Sequence, residues 1–305
     1  MTAELVDTHE PGSAGWHAQR RTALGGSEIA AVLGLSPWES RFSLWHRKSG
    51  AIEPQEDSSI LEWGRRLESA VRTKWADEHK PSHTRPRLGL TFLRDGWRLA
   101  SPDAIVRRRR SPRASEVLEI KTAAYDDGWG TPGTDEIPVY YLTQVRWYLG
   151  VLDLATAHVA VLIGGNDYRE YTVEQDADDL ALMITEGRRF LDSIETGDRP
   201  DIDASSQTYQ TVRELHPDID PERAEIAPDL ADEYLASRIA RDAEESRHRQ
   251  ATSRVLDAMG NAKHADVNGV RIAYRTARKR ADGSPGTPYL QLDKNALTIP
   301  RSPAA

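Results

Sequence analysis

The chain has 305 residues and no cysteine. That absence excludes disulfides, thiolate zinc sites, iron–sulfur clusters and cysteine nucleophiles together, so any metal must be held by oxygen or imidazole. No stretch approaches the roughly eighteen apolar residues of a membrane span. The opening MTAELVDTHEPGS lacks a basic-then-apolar signal, so a cytoplasmic location is the default expectation. No internal repeat is visible. An overall positive charge is missing as well, the net being −8. The deficit is uneven: residues 1–160 hold 21 Lys+Arg and 21 Asp+Glu, whereas residues 161–305 hold 19 and 27. The first half is neutral with arginine clusters at Arg20-Arg21, Arg65-Arg66 and Arg107 to Arg110. Phosphate contacts depend on such local charge, so DNA binding stays open.

With 38% hydrophobic and 29% charged residues, the composition is that of a soluble globular protein. Residues 1–15 lack periodicity and read as a loose tail, and residues 16–197 as one domain. Residues 198–222, rich in Asp, Pro and Ser, read as a linker. Residues 223–280 follow as a long polar helix and a small β element, and residues 281–305 as an irregular tail. Within the domain, Ser27 caps a short helix that Gly34 stops, and Ser36-Pro37-Trp38-Glu39 opens a second helix that runs to Gly50. A third helix covers residues 59–79. Strands are predicted at residues 88–94, 97–107 and 116–122, a helix from Pro138 to Gly150, strands at 156–163 and 168–173, and a helix over 176–196. This order predicts an α/β (α+β) fold with a mixed sheet flanked by helices.

The chemistry gathers around the strand VLEIKT. A period of two puts Val117, Glu119 and Lys121 on one face. Asp103 closes the preceding apolar run, beyond an Asp95-Gly96 turn. Two acidic groups at adjoining strand ends, with a lysine beside one, can hold a hard divalent cation and stabilise charge on a phosphate oxygen. The plainer reading is a solvated strand face with a cross-strand ion pair.

Three polar features elsewhere bear on that choice. In the third helix Leu61, Gly64, Glu68, Val71 and Trp75 share one stripe, so Glu68 sits where an amphipathic helix buries a hydrophobe. Its partner is either an arginine or a metal. Tyr141, Gln144, Val145 and Tyr148 share a stripe in the next helix, which makes Gln144 a second inward polar residue. Arg20 precedes the Gly25-Gly26-Ser27 turn, where backbone and a helix N-terminus can meet an anion. A capped helix with a glycine turn is the simpler alternative.

Trp16-His17, Arg20, Gly26-Ser27, Trp63-Gly64 with Glu68, Ser101-Pro102-Asp103, Leu118-Glu119-Ile120-Lys121, and Tyr141 with Gln144 follow one another over residues 16–196. In order and spacing they resemble the YqaJ-like viral recombinase nucleases, relatives of the phage lambda exonuclease. The resemblance implies a restriction-endonuclease-like core and a Mg2+-dependent exonuclease, with Mn2+ as substitute, that degrades one strand of double-stranded DNA from its 5′ end. It makes Asp103 and Glu119 metal ligands together with the backbone carbonyl of Ile120, and Glu68 a further acidic group near the metal, direct or through water. Lys121 then assists the attacking water or stabilises developing charge, and Gln144 shapes the site. Arg20 and Ser27 contact the 5′-phosphate, and Ser101 the DNA backbone. A single-strand annealing protein as partner and a trimer or other homo-oligomer are implied in the same way.

This sequence departs from the family in having Ala104 where a glycine often follows the aspartate. It also lengthens the next hairpin with the basic loop RRRRSPRAS, in which Arg107, Arg108 and Arg109 are candidate DNA-backbone contacts or a solvated turn. The alternative function is a nuclease-inactive DNA-binding accessory of recombination. An ordinary structural domain with internal ion pairs is the third reading.

Overall fold

The computed structural model describes residues 2–10, 12–53, 58–110, 115–294 and 296–298. The chain divides after Ile219 into two compact units. In the first, the elements are β1 (Glu4–Val6), α1 (Ala14–Arg21), β2 (Leu24–Gly25), α2 (Gly26–Val32), α3 (Arg41–Ser49), α4 (Ser59–His79), β3 (Thr91–Arg94) and β4 (Arg98–Ala100). They continue with β5 (Ala104–Arg107), β6 (Ser115–Ala123), α5 (Val139–Leu152), β7 (Thr156–Ile163), β8 (Asp167–Glu174), α6 (Ala177–Thr196) and α7 (Ser206–Leu215).

Two sheets result. The central one has order β5-β6-β7-β8, with β6 and β7 parallel and the outer pairs antiparallel. The parallel pair requires a crossover, which α5 supplies. The side chains of β6 alternate as the strand period demands. Leu118 and Ile120 pack with Val71 and Trp75 of α4 on one face, while Val117 packs with Trp147 and Leu149 of α5 on the other. The sheet is thus covered by helices on both faces, the mixed α/β arrangement expected for a restriction-endonuclease-like core. A second sheet, β1-β3-β4-β2, carries the strand that leads to Asp103.

The predicted strand 97–107 is two strands, β4 and β5, in different sheets. Pro102 has no N–H for a ladder, so Ser101-Pro102-Asp103 is a break rather than a strand end. The Asp95-Gly96 turn forms with both residues at positive φ, 54° and 77°.

Other boundaries differ for physical reasons. Helix α2 is capped by Gly25, whose N–H is taken by the Glu28 carboxylate at 2.8 Å, so Ser27 lies inside the first turn, exposed, rather than at the cap. Ser36 folds its hydroxyl onto the N–H groups of Trp38 and Glu39 as a local turn, and α3 starts later, capped by Ser40. Gly150 does not stop α5; a Cβ there would stand 2.2 Å from Leu180 Cδ1, so glycine permits α6 to approach, and Asp153 at φ 58° ends the helix. Residues 4–6 of the expected tail pair with β3 as an edge strand. The stretch expected as linker contains α7, whose buried Thr208 donates to Ser40 at 2.7 Å. A helix under a polar sequence is held there by hydroxyl pairing, which hydrophobic periodicity does not report.

The second unit holds α8 (Pro228–Met259) and an antiparallel sheet of order β11-β10-β9, with β9 (His264–Val267), β10 (Val270–Thr276) and β11 (Tyr289–Leu292). Strand β11 lies in the stretch expected to be irregular, whose last residues fall outside the described ones. Among the described residues no helix is long and apolar enough to cross a membrane.

Candidate active site

Asp103, Glu119, Lys121 and Gln144 come together in one network. Asp103 lies between β4 and β5, where the sheets separate, and its Oδ2 accepts from the Ile120 N–H at 2.6 Å. The Asp103 N–H faces Glu119 Oε2 at 3.5 Å. Strand β6 projects Glu119 and Lys121 from the same face, and the Lys121 ammonium donates to Glu119 Oε1 at 2.6 Å. Helix α5 brings Gln144 over them. Its amide nitrogen donates to Glu119 Oε1 at 2.8 Å and its oxygen accepts from Lys121 at 3.2 Å. The same nitrogen lies 3.0 Å from the Tyr148 hydroxyl, and the Tyr141 ring lies 4.8 Å from the ammonium.

The electrostatics follow from crowding charge in a dry place. Burial pushes the Asp103 carboxyl well above the usual carboxylate range, and the Glu119 and Glu68 charges push the same way, against Lys121 and the Ile120 N–H. For Lys121, burial alone favours the neutral amine, but Glu119 and Asp103 outweigh it and hold the ammonium above its ordinary value. Tyr148 is raised by burial and by Glu119, with Lys121 and Arg20 opposing.

The remaining predicted residues divide. Glu68 is paired with Arg72 one turn along α4, and its side chain is 33% exposed rather than enclosed. The stripe that predicted its burial holds at Val71 and Trp75 but fails at Leu61, which is 47% exposed, because only the C-terminal part of α4 is covered. A Cβ at Gly64 would stand 3.5 Å from Thr122 Oγ1, so this end of α4 lies close to β6.

Arg20 stacks on Trp16 at 4.3 Å and leans over Gly25, where a Cβ would meet its Nη1 at 2.5 Å. The Arg20 Nε is buried with no hydrogen-bond partner in the protein. Sequence reasoning passed over Lys48, which organises this corner: it is buried, donates to the Arg20 and Ala23 carbonyls, and pairs with Glu28 at 2.9 Å. No sequence signal marks it, since a lysine is seldom enclosed. Tyr148 shows in the sequence only as part of a stripe, although its hydroxyl joins Gln144.

Ser101 shares its hydroxyl with Thr91 at 3.2 Å. Of the basic loop, Arg107 is exposed, Arg108 pairs with Glu116 at 2.6 Å, and the Arg109 Nε donates to the Lys80 carbonyl at 2.8 Å. Residues 111–114 of that loop lie outside the described residues.

An Asp103–Glu119 pair is an all-oxygen donor set in which the mutual repulsion of the two carboxylates is relieved by a divalent cation. Lys121 and Gln144 both engage Glu119 Oε1 and leave Oε2 on the Asp103 side, so the residues fit such an ion.

The chain is similar to known proteins. Residues 15–158 match the model of the YqaJ-like viral recombinase domain. The chain is 31% identical over 216 residues to the YqaJ protein of Bacillus subtilis (strain 168), covering 68% of this chain and 65% of that protein. It therefore spans just under two thirds of that relative's length. Among solved structures, an alkaline exonuclease (LHK-Exo) from Laribacter hongkongensis superposes with a TM-score of 0.47 at 18% identity, over 61% of this chain and 94% of the other. A phage-related exonuclease from Haemophilus somnus 129PT gives a TM-score of 0.40 at 10% identity, over 58% and 96%. The segment that resembles the YqaJ-like viral recombinase domain, residues 15–158, is the one that contains Arg20, Ser27, Glu68, Ser101, Asp103, Glu119, Lys121 and Gln144.

Proposed function

We propose that the chain is a Mg2+-dependent deoxyribonuclease that enters double-stranded DNA at an end, removes one strand from 5′ to 3′ and leaves single strands for recombination. The observation that carries this reading is the closed network of Asp103, Glu119, Lys121 and Gln144. A structural ion pair has no use for a second carboxylate pressed against the first. A site that receives a cation does.

Asp103, Glu119 and the Ile120 carbonyl would hold the ion, with Glu68 at its edge. Bound there, Mg2+ supplies a Lewis acid for the scissile phosphate and an acidified water. The chain's own residues do the rest. Gln144 fixes Glu119 through Oε1 and so aims Oε2 toward Asp103. Lys121, held as an ammonium by Glu119 and Asp103 in the metal-free protein, would offer a compact positive charge to a phosphate oxygen or assist the attacking water. The Tyr141 ring covers one side of the amine.

End selectivity rests on Arg20. A buried guanidinium Nε with no acceptor in the protein is suited to an anion brought by the substrate, and a terminal phosphate is the anion a cut strand presents. Exposed Ser27 in the first turn of α2 borders the same corner. The test compares linear duplexes with 5′-phosphate and 5′-hydroxyl ends, for wild type and Arg20→Ala. A preference for phosphate that the variant loses supports the pocket. Equal rates on both ends by wild type would refute it.

A further inference from the structure

A second group of metal-binding side chains lies on the far face of β6. Glu116 shares that face with Leu118 and Ile120, opposite Glu119 and Lys121. His83, from the turn after α4, and His158, from β7, both aim Nε2 at the same Glu116 oxygen, Oε2, at 3.0 and 2.9 Å. All three ligand atoms lie within 4.8 Å of one another. We propose that His83, Glu116 and His158 form a structural site for a borderline transition ion of the Zn2+ class, distinct from the Mg2+ site and independent of the nuclease reading.

The donor set and spacing carry the inference. Two imidazoles and one carboxylate suit zinc, whereas the oxygen-only set around Asp103 suits Mg2+. With bonds of about 2.0–2.1 Å, the edge of a zinc tetrahedron is about 3.3 Å, close to the observed nitrogen-to-oxygen separations. The surroundings match what a bound metal needs. The Ser82 hydroxyl engages His83 Nδ1 at 2.9 Å, which fixes the ring and leaves Nε2 to face inward. The Arg108 guanidinium holds Oε1 of Glu116 at 2.6 Å, so Oε2 alone is presented. His79 is committed elsewhere, to the Trp75 carbonyl and to Glu170.

One unsatisfied group points the same way. The Trp75 indole, packed beside both ligand rings at 5.3 and 5.4 Å between centroids, has a buried N–H with no acceptor in the protein. A water in the fourth coordination position would give it one. The side chains of His83, Glu116 and His158 are only 8%, 5% and 13% exposed, too enclosed for a substrate to reach. The role is therefore a clamp. It ties the turn after α4 to the parallel β6–β7 pair three residues before Glu119.

The test uses the full chain with Asp103→Asn, stripped by a chelator, so that the Asp103 site does not contribute. Zn2+ added against a chromophoric competitor should bind at one ion per chain and raise the melting temperature. His83→Gln and His158→Gln, each in that background, should weaken binding by about 100-fold or more. Should either variant fail to fold, Co2+ added to the Asp103→Asn chain is the second readout, with the visible ligand-field bands of low-coordinate, imidazole-bound cobalt expected. Absence of stoichiometric Zn2+ uptake, undiminished uptake in both folded variants, or a featureless octahedral Co2+ spectrum overturns the proposal and leaves a hydrogen-bonded trio.

Discussion

The Ile120 N–H donates to Asp103 Oδ2 at 2.6 Å, joining the break after β4 to the middle of β6. One bond therefore couples Asp103 to the strand that displays Glu119 and Lys121. The two carboxylates are held together against their repulsion.

Asp103 should trade stability for activity. Its carboxyl is raised by burial and then by Glu119, so its folded pKa exceeds its unfolded one. Such a group favours the folded state below the unfolded pKa and loses that contribution as pH rises through the folded value. At neutral pH without metal it is a liability. Asp103→Asn in EDTA should melt at the wild-type temperature or higher, while nuclease rate with Mg2+ falls by at least about 100-fold. A clear drop in melting temperature would mark Asp103 as structural.

Lys121 should behave in the opposite sense. Its folded pKa is raised, so its pairing stabilises the protein below the unfolded lysine value of about 10.4, and is lost only as pH climbs through the folded one. In metal-free buffer, stability should show no loss attributable to Lys121 up to about pH 10. Lys121→Met leaves Glu119 buried and uncompensated, at a cost of about 3–5 kcal/mol in metal-free buffer. Chemical denaturation measures this, and an unchanged midpoint would contradict it.

The adjacent glycines Gly25 and Gly26 should separate function from folding. At Gly25 a Cβ meets only the end of Arg20, and φ is −85°, which alanine adopts freely. Gly25→Ala should melt within about 1 kcal/mol of wild type yet lose the 5′-phosphate preference. At Gly26 a Cβ would stand 2.5 Å from Tyr148 and 3.0 Å from the Gln144 carbonyl. Gly26→Ala should therefore cost about 1–3 kcal/mol by forcing α2 off α5. Identical behaviour of the two variants would contradict the assignment.

Much of the site was legible because its residues break local rules. Glu119 and Lys121 stand on a β-branched strand, and Gln144 interrupts an apolar stripe; both placements hold in the structure. Glu68 was read by the same logic and lies half-exposed against Arg72, since a helical stripe says which residues share a face but not how far that face is covered. Lys48 and the His83–Glu116–His158 trio were illegible for another reason. Their partners come from distant segments, and no local periodicity encodes a long-range meeting. The split of residues 97–107 between two sheets depended on Pro102, a signal present in the sequence but outweighed by the apolar run around it.

The most direct measurement follows release of label from the 5′ ends of linear duplex DNA by purified wild type with Mg2+, by wild type with EDTA, and by folded Asp103→Ala with Mg2+. Release by the first alone is the predicted result. Release at the same rate in EDTA or by the variant, or none from folded wild type with Mg2+, would contradict it.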